Sequence, residues 1–453
     1  LPDKRKLKSR LKENKKVRTR SGLLRIPTQP GVPRKGEPEE EIMIGRGAIP
    51  KPPPIIRSPS SKKPSAHARR QPKDKSQSLK LPTITINGMV YTNDSFSIVC
   101  RGLAYGLTQN GYKIVIDAWT NGNRSHPIED VVKKAVKRSS DNKIGIRISH
   151  PNSFEVLEHY DYRIGKAYFE TDIFPPKWVG FCNKHCDQVW VSSKFNKEVC
   201  ERSGVENVYI VHDGYDPRIF SPNGEKYDLG FPDDTFVFLT VGNSQKRKGT
   251  DLLYRAFTEE FDESEKVGLV YKSYAPWAWG AAKYAKEGRI IHIGDVAEKE
   301  SGPTLVNADI PYTQMGSLYR AANCFILPTY GEGAGICCVE AMACKVPVIT
   351  TNWSAQLDYC NNNNSYLIEG TGFEKAFEGM DWQGHWFVPS LDQLKFYMRY
   401  VYEHPEMVKL KTEQAFIDAK QFTWKECAKE AISTLSLGIP NIGNNFRFQV
   451  LNI

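Results

Sequence analysis

PTYGEGAGICCVEAMACKVPVIT, residues 328–350, is the stretch on which the fold turns. The apolar run CFILPT at 324–329 reads as a buried strand, GEGAG at 331–335 as a tight loop, Ile336 to Cys344 as a short helix and VPVIT at 346–350 as the next strand. That succession is a β-loop-α-β unit. In such a unit the loop lies at the carboxyl end of a strand, and its free N–H groups and the following helix start make an anion site. Gly331, Gly333 and Gly335, with Ala334 between the last two, are predicted to let the main chain approach a ligand. Glu332 and Glu340 stand eight positions apart and are predicted to face one crevice, where carboxylates accept hydrogen bonds from sugar hydroxyls. The expected ligand is a nucleotide sugar; an ordinary strand-helix turn with solvated carboxylates is the other reading.

A second block, FVFLTVGNSQKRKGTDLLYRAFTEEF at 236–261, predicts a strand, a polar turn beginning at Gly242, and a helix with Leu252, Leu253, Ala256 and Phe257 on one side. Its turn holds Lys246, Arg247 and Lys248. Cations between a strand and a helix pair with a diphosphate, Arg through two parallel N–H groups. A solvated basic turn is the alternative.

The chain before these blocks has the same alternation. LPTITINGMV at 81–90 is strand-like, and Phe96, Val99, Leu103 and Leu107 give helical spacing from Ser95 to Asn110, closed by Gly111 before YKIVIDAW. Tyr168, Phe169 and Glu170 are expected to close a strand that the double proline then breaks. A helix is expected from Trp178 to His185, Ser193 is expected to cap a helix beginning at Lys194, and Val208 to Val211 form a last strand. His150, after IGIRIS and before Pro151, is placed on a loop at a strand's carboxyl end. FTWKECAKEAISTL at 422–435 is a further amphipathic helix. The expected class is α/β, with two Rossmann-like doubly wound domains and an interdomain cleft: 81–221 on the acceptor side, 222–421 on the donor side, a return helix at 422–435 and a tail at 436–453.

The two blocks together resemble the donor half of retaining glycosyltransferases of the GT-B fold, family 4. The resemblance rests on the two glutamates of 332–340 with the Pro-Val-Ile strand after them, and on Lys248 before Gly249. It implies that Lys248 contacts the donor phosphates, that Glu340 binds the nucleotide ribose, that Glu332 binds the transferred sugar, and that no metal is required. The family Arg near the strand glycine is replaced by Asn243, so that role is absent or falls to Arg247 or Lys246; the family Gly at 345 is Lys345. His150 is the candidate for the acceptor-side histidine of the family, His159 its rival, and Glu170 a further acceptor-side candidate. The resemblance implies a nucleotide diphosphate-sugar donor, a glycan, lipid or protein acceptor, and retention of anomeric configuration.

Residues 1–80 are a different kind of sequence. They hold 23 Lys and Arg against seven Asp and Glu, a net of +16 where the whole chain carries +10, which leaves about −6 for the rest. Pro27, Pro30, Pro33, Pro38 and the run 52–54 break periodicity, and such a segment buries too little apolar surface to fold alone. This basic, disordered-type, Pro-rich arm is expected to bind an anionic partner: RNA, an acidic protein surface or a membrane. An organellar transit peptide is disfavoured by the acidic residues clustered at 37–41. The arm also supports a second hypothesis, in which a glycosyltransferase-like subunit serves a large assembly such as a ribonucleoprotein or capsid. Asn243 and Lys345 then read as marks of lost catalysis. A third, a nucleic-acid-binding protein with a regulatory α/β body, rests on the arm alone.

Ten Cys without regular spacing argue for a reducing compartment, cytoplasm or organelle, and against secretion; on that reading Asn123, in an N-R-S sequence, carries no glycan. Cys182, His185 and Cys186 lack a second pair to complete a tetrahedral metal set.

Overall fold

The computed structural model describes residues 82–119, 130–136, 141–243, 245–273, 289–293, 304–306, 310–376 and 384–439. The basic arm, Asn123 and residues 440–453 of the expected tail lie outside them. All elements below belong to the unit Ser76–Ile453.

The first lobe runs β1 (Ile84–Gly88), α1 (Ser95–Gln109), β2 (Ile114–Ala118), α2 (Asp130–Val136), β3 (Ile144–Ile148), β4 (Tyr162–Lys166), α3 (Pro176–His185), β5 (Gln188–Val191), α4 (Lys194–Arg202) and β6 (Val208–Ile210). Its strands form a parallel sheet in the order β2-β1-β3-β4-β5-β6. The second lobe runs β7 (Phe236–Val241), α5 (Thr250–Glu260), β8 (Val267–Lys272), β9 (Ile290–Ile293), β10 (Thr304–Val306), α6 (Met315–Ala321), β11 (Cys324–Leu327), α7 (Ile336–Ala343), β12 (Val348–Thr351), β13 (Tyr366–Ile368), the hairpin strands β14 (Gly370–Lys375) and β15 (His385–Pro389), α8 (Leu391–Glu403) and α9 (Pro405–Ala419). Its parallel sheet has the order β10-β9-β8-β7-β11-β12-β13, with β14 and β15 paired antiparallel beside it. A last helix, α10 (Trp424–Gly438), follows.

Helices on both faces explain why the central strands are apolar throughout rather than alternating. Every residue of CFIL in β11 and of VGLVYK in β8 is buried. Local signals set the helix ends. The Asp94 carboxylate accepts from Ser97 N–H at 3.1 Å to start α1, and Ser193 Oγ accepts from Asn196 N–H at 3.1 Å to start α4, as its sequence predicts.

Two expectations are corrected. β4 ends at Lys166, not at Tyr168–Glu170, because the ladder finishes with Ala167 N–H donating to Trp190 O at 2.9 Å and the chain then leaves the sheet. The double proline opens α3 instead of standing apart from it, since Pro176 occupies a first-turn position whose N–H needs no partner.

Helix α10 lies on α1 of the first lobe. A side chain at Gly102 would overlap the Trp424 indole, and one at Gly106 would overlap the Trp424 carbonyl oxygen. Burying an aromatic of this size contributes about 2–3 kcal/mol.

Candidate functional site

The carboxyl ends of β7 and β11 place two loops side by side, and a small set of bonds stitches them together. Tyr330 N–H donates to Arg247 O at 2.7 Å, and Thr329 Oγ1 donates to Arg247 O at 2.9 Å. Gly249 sits in the left-handed region at φ +67, and a Cβ there would overlap the Pro328 carbonyl oxygen. Glycine after Lys248 is therefore demanded by contact between the two loops. The aliphatic part of Lys248 runs past Gly242, with Cδ and Cε in ordinary contact, 3.5 Å from where a Cβ would stand.

The Lys248 ammonium reaches Glu332. Lys248 Nζ lies 2.7 Å from Glu332 Oε1, and Arg247 Nη1 lies 3.3 Å from the same oxygen. Arg247 also donates to Gly331 O at 2.6 Å and faces Glu170 Oε1 of the first lobe at 3.4 Å. Glu332 is 4% exposed, and its N–H donates to Ser354 Oγ at 2.9 Å. Burial opposes ionisation of Glu332, but the charges of Lys248 and Arg247 outweigh it and hold the carboxyl below its ordinary value. Lys246 points elsewhere: its ammonium pairs with Glu374 of β14 at 2.7 Å. Of the two residues proposed to replace the missing Arg, the structure brings Arg247 to the cluster and not Lys246. Asn243 is exposed.

Glu340, on α7, has a different environment. Tyr312 and Tyr319 donate their hydroxyls to Oε1 and Oε2 at 3.1 and 2.9 Å. Burial pushes its pKa up, and the two phenols only moderate the rise, to about 7. Neither tyrosine was singled out in the sequence, nor were Ser354 and Thr329; Ser354 lies in the segment after β12 and is held at φ +74.

The glycine loop meets protein where a ligand was expected. A side chain at Gly331 would overlap Glu170 O, and one at Gly333 would stand 3.2 Å from Phe169 O. Gly335, at φ +74, turns the chain into α7 against Gln356. The first two glycines thus serve close packing of the lobes in this conformation, because backbone of residues 169–170 occupies their Cα side. In the first turn of α7 Cys338 N–H donates to Gly335 O at 3.0 Å, which leaves the amides of Ile336 and Cys337 as the candidate anion-binding element of the loop.

On the first-lobe side His150 follows β3, stacks on Trp178 at 5.4 Å and meets the edge of Phe96 at 5.4 Å. Burial lowers its pKa, with the charge of Glu170 opposing, which leaves the ring neutral at physiological pH. His150 and Glu170 are on the cluster side of the sheet. His159 precedes β4 and so lies at the opposite, amino-terminal edge.

Lys345 is the residue that replaces the family glycine, and it adopts φ +57 just past α7. Its ammonium pairs with Glu413 at 2.8 Å. It stands at the far end of α7, about 12 Å of helix rise from the loop. The substitution therefore concerns a turn and not the Glu332 cluster. Among the described residues no group of three or more His, Cys, Asp or Glu is placed to hold a metal ion.

The family model "Glycosyl transferases group 1" matches residues 305–382. A D-inositol 3-phosphate glycosyltransferase of Catenulispora acidiphila is 29% identical over 153 residues, 32% of this chain and 35% of the relative. Its counterpart in Nocardiopsis dassonvillei is 30% identical over 149 residues, 31% and 34% of the two chains. The chain thus matches about a third of the length of these curated relatives. Among solved structures, sucrose-phosphate synthase from Thermosynechococcus elongatus superposes with a TM-score of 0.56 at 14% identity, covering 82% of this chain and all of that one. Anabaena HepE in complex with UDP-glucose gives 0.54 at 14% identity, covering 78% and 99%. The two parallel α/β lobes and these superpositions give the chain a GT-B fold, and its second lobe is similar in sequence to the group 1 glycosyltransferases over residues 305–382.

Proposed function

We propose that this chain is a retaining glycosyltransferase of hexosyl type, which moves a sugar from a nucleotide diphosphate-sugar to a glycan, lipid or protein acceptor. The observation that carries the reading is a buried carboxylate, Glu332, held by two cations at the mouth of a helix-start loop. Without a ligand, Lys248 and Arg247 neutralise Glu332. A diphosphate offers them more negative charge, and with the free amides at the start of α7 they stabilise the leaving diphosphate. Glu332 is then released to accept from hydroxyls of the transferred sugar. Glu340, exchanging a tyrosine hydroxyl for a ribose hydroxyl, holds the nucleoside. The HepE complex with UDP-glucose supports a nucleotide sugar as the donor class.

Because residues 169–170 cover the glycine loop, binding requires the lobes to part along this seam and to close again over the donor. His150 and Glu170 face the transferred sugar from the acceptor side. The basic arm binds an anionic surface and brings the enzyme to its acceptor.

Calorimetric titration of the full chain with UDP-glucose and a panel of other nucleotide sugars tests this. The expected result is saturable binding of at least one donor that Lys248→Ala and Glu340→Ala both weaken about tenfold or more, the loss of one charged contact being worth roughly 1.5–3 kcal/mol. No heat with any donor would overturn the reading in favour of a non-catalytic subunit.

A further inference from the structure

The carboxyl edge of the first-lobe sheet carries an unusual arrangement that the donor chemistry does not use. Arg147, near the end of β3, is 4% exposed. Its guanidinium donates to Ser153 Oγ at 3.1 Å and to Asn87 Oδ1 of β1, and it lies 4.2 Å from the centre of the Trp119 ring. Trp119, one residue past β2, is nevertheless 42% exposed. With one face covered by a guanidinium that is itself anchored on both sides, the exposed area belongs to the other face and the rim. Beside it Asn87 Nδ2 donates to the exposed Asp117 carboxylate at 2.6 Å. Ser153 Oγ in turn donates to His150 O at 3.0 Å, so one short chain of contacts joins the indole to the acceptor-side histidine.

We propose that the open face of Trp119 is a stacking platform for a sugar ring of the acceptor, with Asp117 and Asn87 hydrogen-bonded to its hydroxyls. This rests on the glycosyltransferase reading above and narrows its acceptor to a glycan. Three features single out a neutral sugar. A flat apolar face matches the C–H face of a pyranose. Carboxylate and amide at its rim match equatorial hydroxyls. The exposed charge of Asp117 repels an anionic headgroup, while the cation beneath is buried under the ring and cannot reach one. The location is the carboxyl edge of a parallel sheet, where α/β folds place ligands. Arg147 is the positioning residue: it holds the indole flat so that little freedom is lost on binding.

Saturation-transfer NMR on the full chain tests this, with methyl α-D-glucopyranoside, methyl β-D-galactopyranoside, maltose and lactose as probes and UDP-glucose titrated in parallel. The expected outcome is transfer to the ring protons of at least one sugar. Trp119→Ala should weaken its binding about five- to tenfold, Trp119→Phe should retain most of it, and Asp117→Asn should weaken it by an intermediate factor. UDP-glucose affinity should be unchanged in all three variants, which also shows that they fold. Equal transfer in Trp119→Ala and wild type overturns the platform, as does absence of transfer to every probe. If UDP-glucose fails to bind the wild type while sugar binding still depends on Trp119, the donor assignment falls and the platform stands.

Discussion

Glu332 and Glu340 are eight residues apart in one motif and equally buried, at 4% and 3% exposure, yet their carboxyls are driven in opposite directions. Glu332 has two cations from the β7–α5 turn; Glu340 has two phenols and no cation bonded to it among the described residues. Burial disfavours charge at both. The difference shows that the neighbours, not the motif, set the chemistry of each carboxylate.

The strongest test of that contrast removes Glu332. Glu332→Ala leaves Lys248 and Arg247 close together in a low-dielectric place, with Glu170 still facing Arg247 and the carboxylate that Lys248 paired with removed. Loss of a buried partner costs about 3–5 kcal/mol, read as a lowered urea midpoint at neutral pH. Glu340→Ala, which removes the carboxylate to which both phenols donate, should cost less, about 1–3 kcal/mol. Equal costs would abolish the distinction.

Stability against pH sharpens the same comparison, because the two signs differ. Glu332, with its folded pKa depressed, contributes stability present above its ordinary value of 4.5 and lost as pH falls through the folded value. Glu340, raised from 4.5 to about 7, holds its proton more tightly when folded. Its contribution is full below 4.5, declines as pH rises, and is gone above about 7. The span is of order 3 kcal/mol. Glu340→Gln should flatten the decline between these pH values in denaturation curves; an unchanged slope would assign it to other groups.

His212 is the mirror image of Glu332, one cation between two carboxylates. Its Nε2 lies 2.8 Å from Asp358 of the second lobe, and its Nδ1 lies 2.9 Å from Glu430 of α10. Burial lowers its pKa, but bonds to both carboxylates raise it from 6.5 to about 9. It contributes stability fully present below 6.5 and lost as pH rises through 9. Since Glu430 is 39% exposed, solvent screening reduces the effect to about 1–2 kcal/mol. Thermal unfolding of His212→Gln should show that alkaline loss removed.

The smallest effect belongs to Lys345→Gly. It relieves a left-handed backbone and removes the ion pair with Glu413, so stability should change by less than about 1 kcal/mol and donor affinity not at all. Altered donor affinity would return Lys345 to the site.

The α/β alternation was legible because strands buried on both faces and amphipathic helices leave continuous and periodic apolar patterns in the chain. CFIL, FVFLTV and the Leu253–Phe257 face of α5 read that way in the sequence. The paired glutamates, Lys248 and its following glycine were visible as a local spacing. Which cation stands in for the missing Arg was not. Lys246 and Arg247 are adjacent in sequence, and only the pairing of β7 with β11 turns one toward Glu332 and the other toward Glu374. Tyr312, Tyr319 and Ser354 were equally hidden, since each lies more than ten residues from the carboxylate or amide it serves and has no local pattern. Likewise a glycine in a loop says that something comes close, without saying what; at 331 and 333 it is the other lobe. By itself the sequence determined where chain turns, helices and charged groups occur, because those depend on neighbours along the backbone. The tertiary structure decided which charges share a site and which face of it is open, because those depend on contacts between segments that the folded sheets alone bring together.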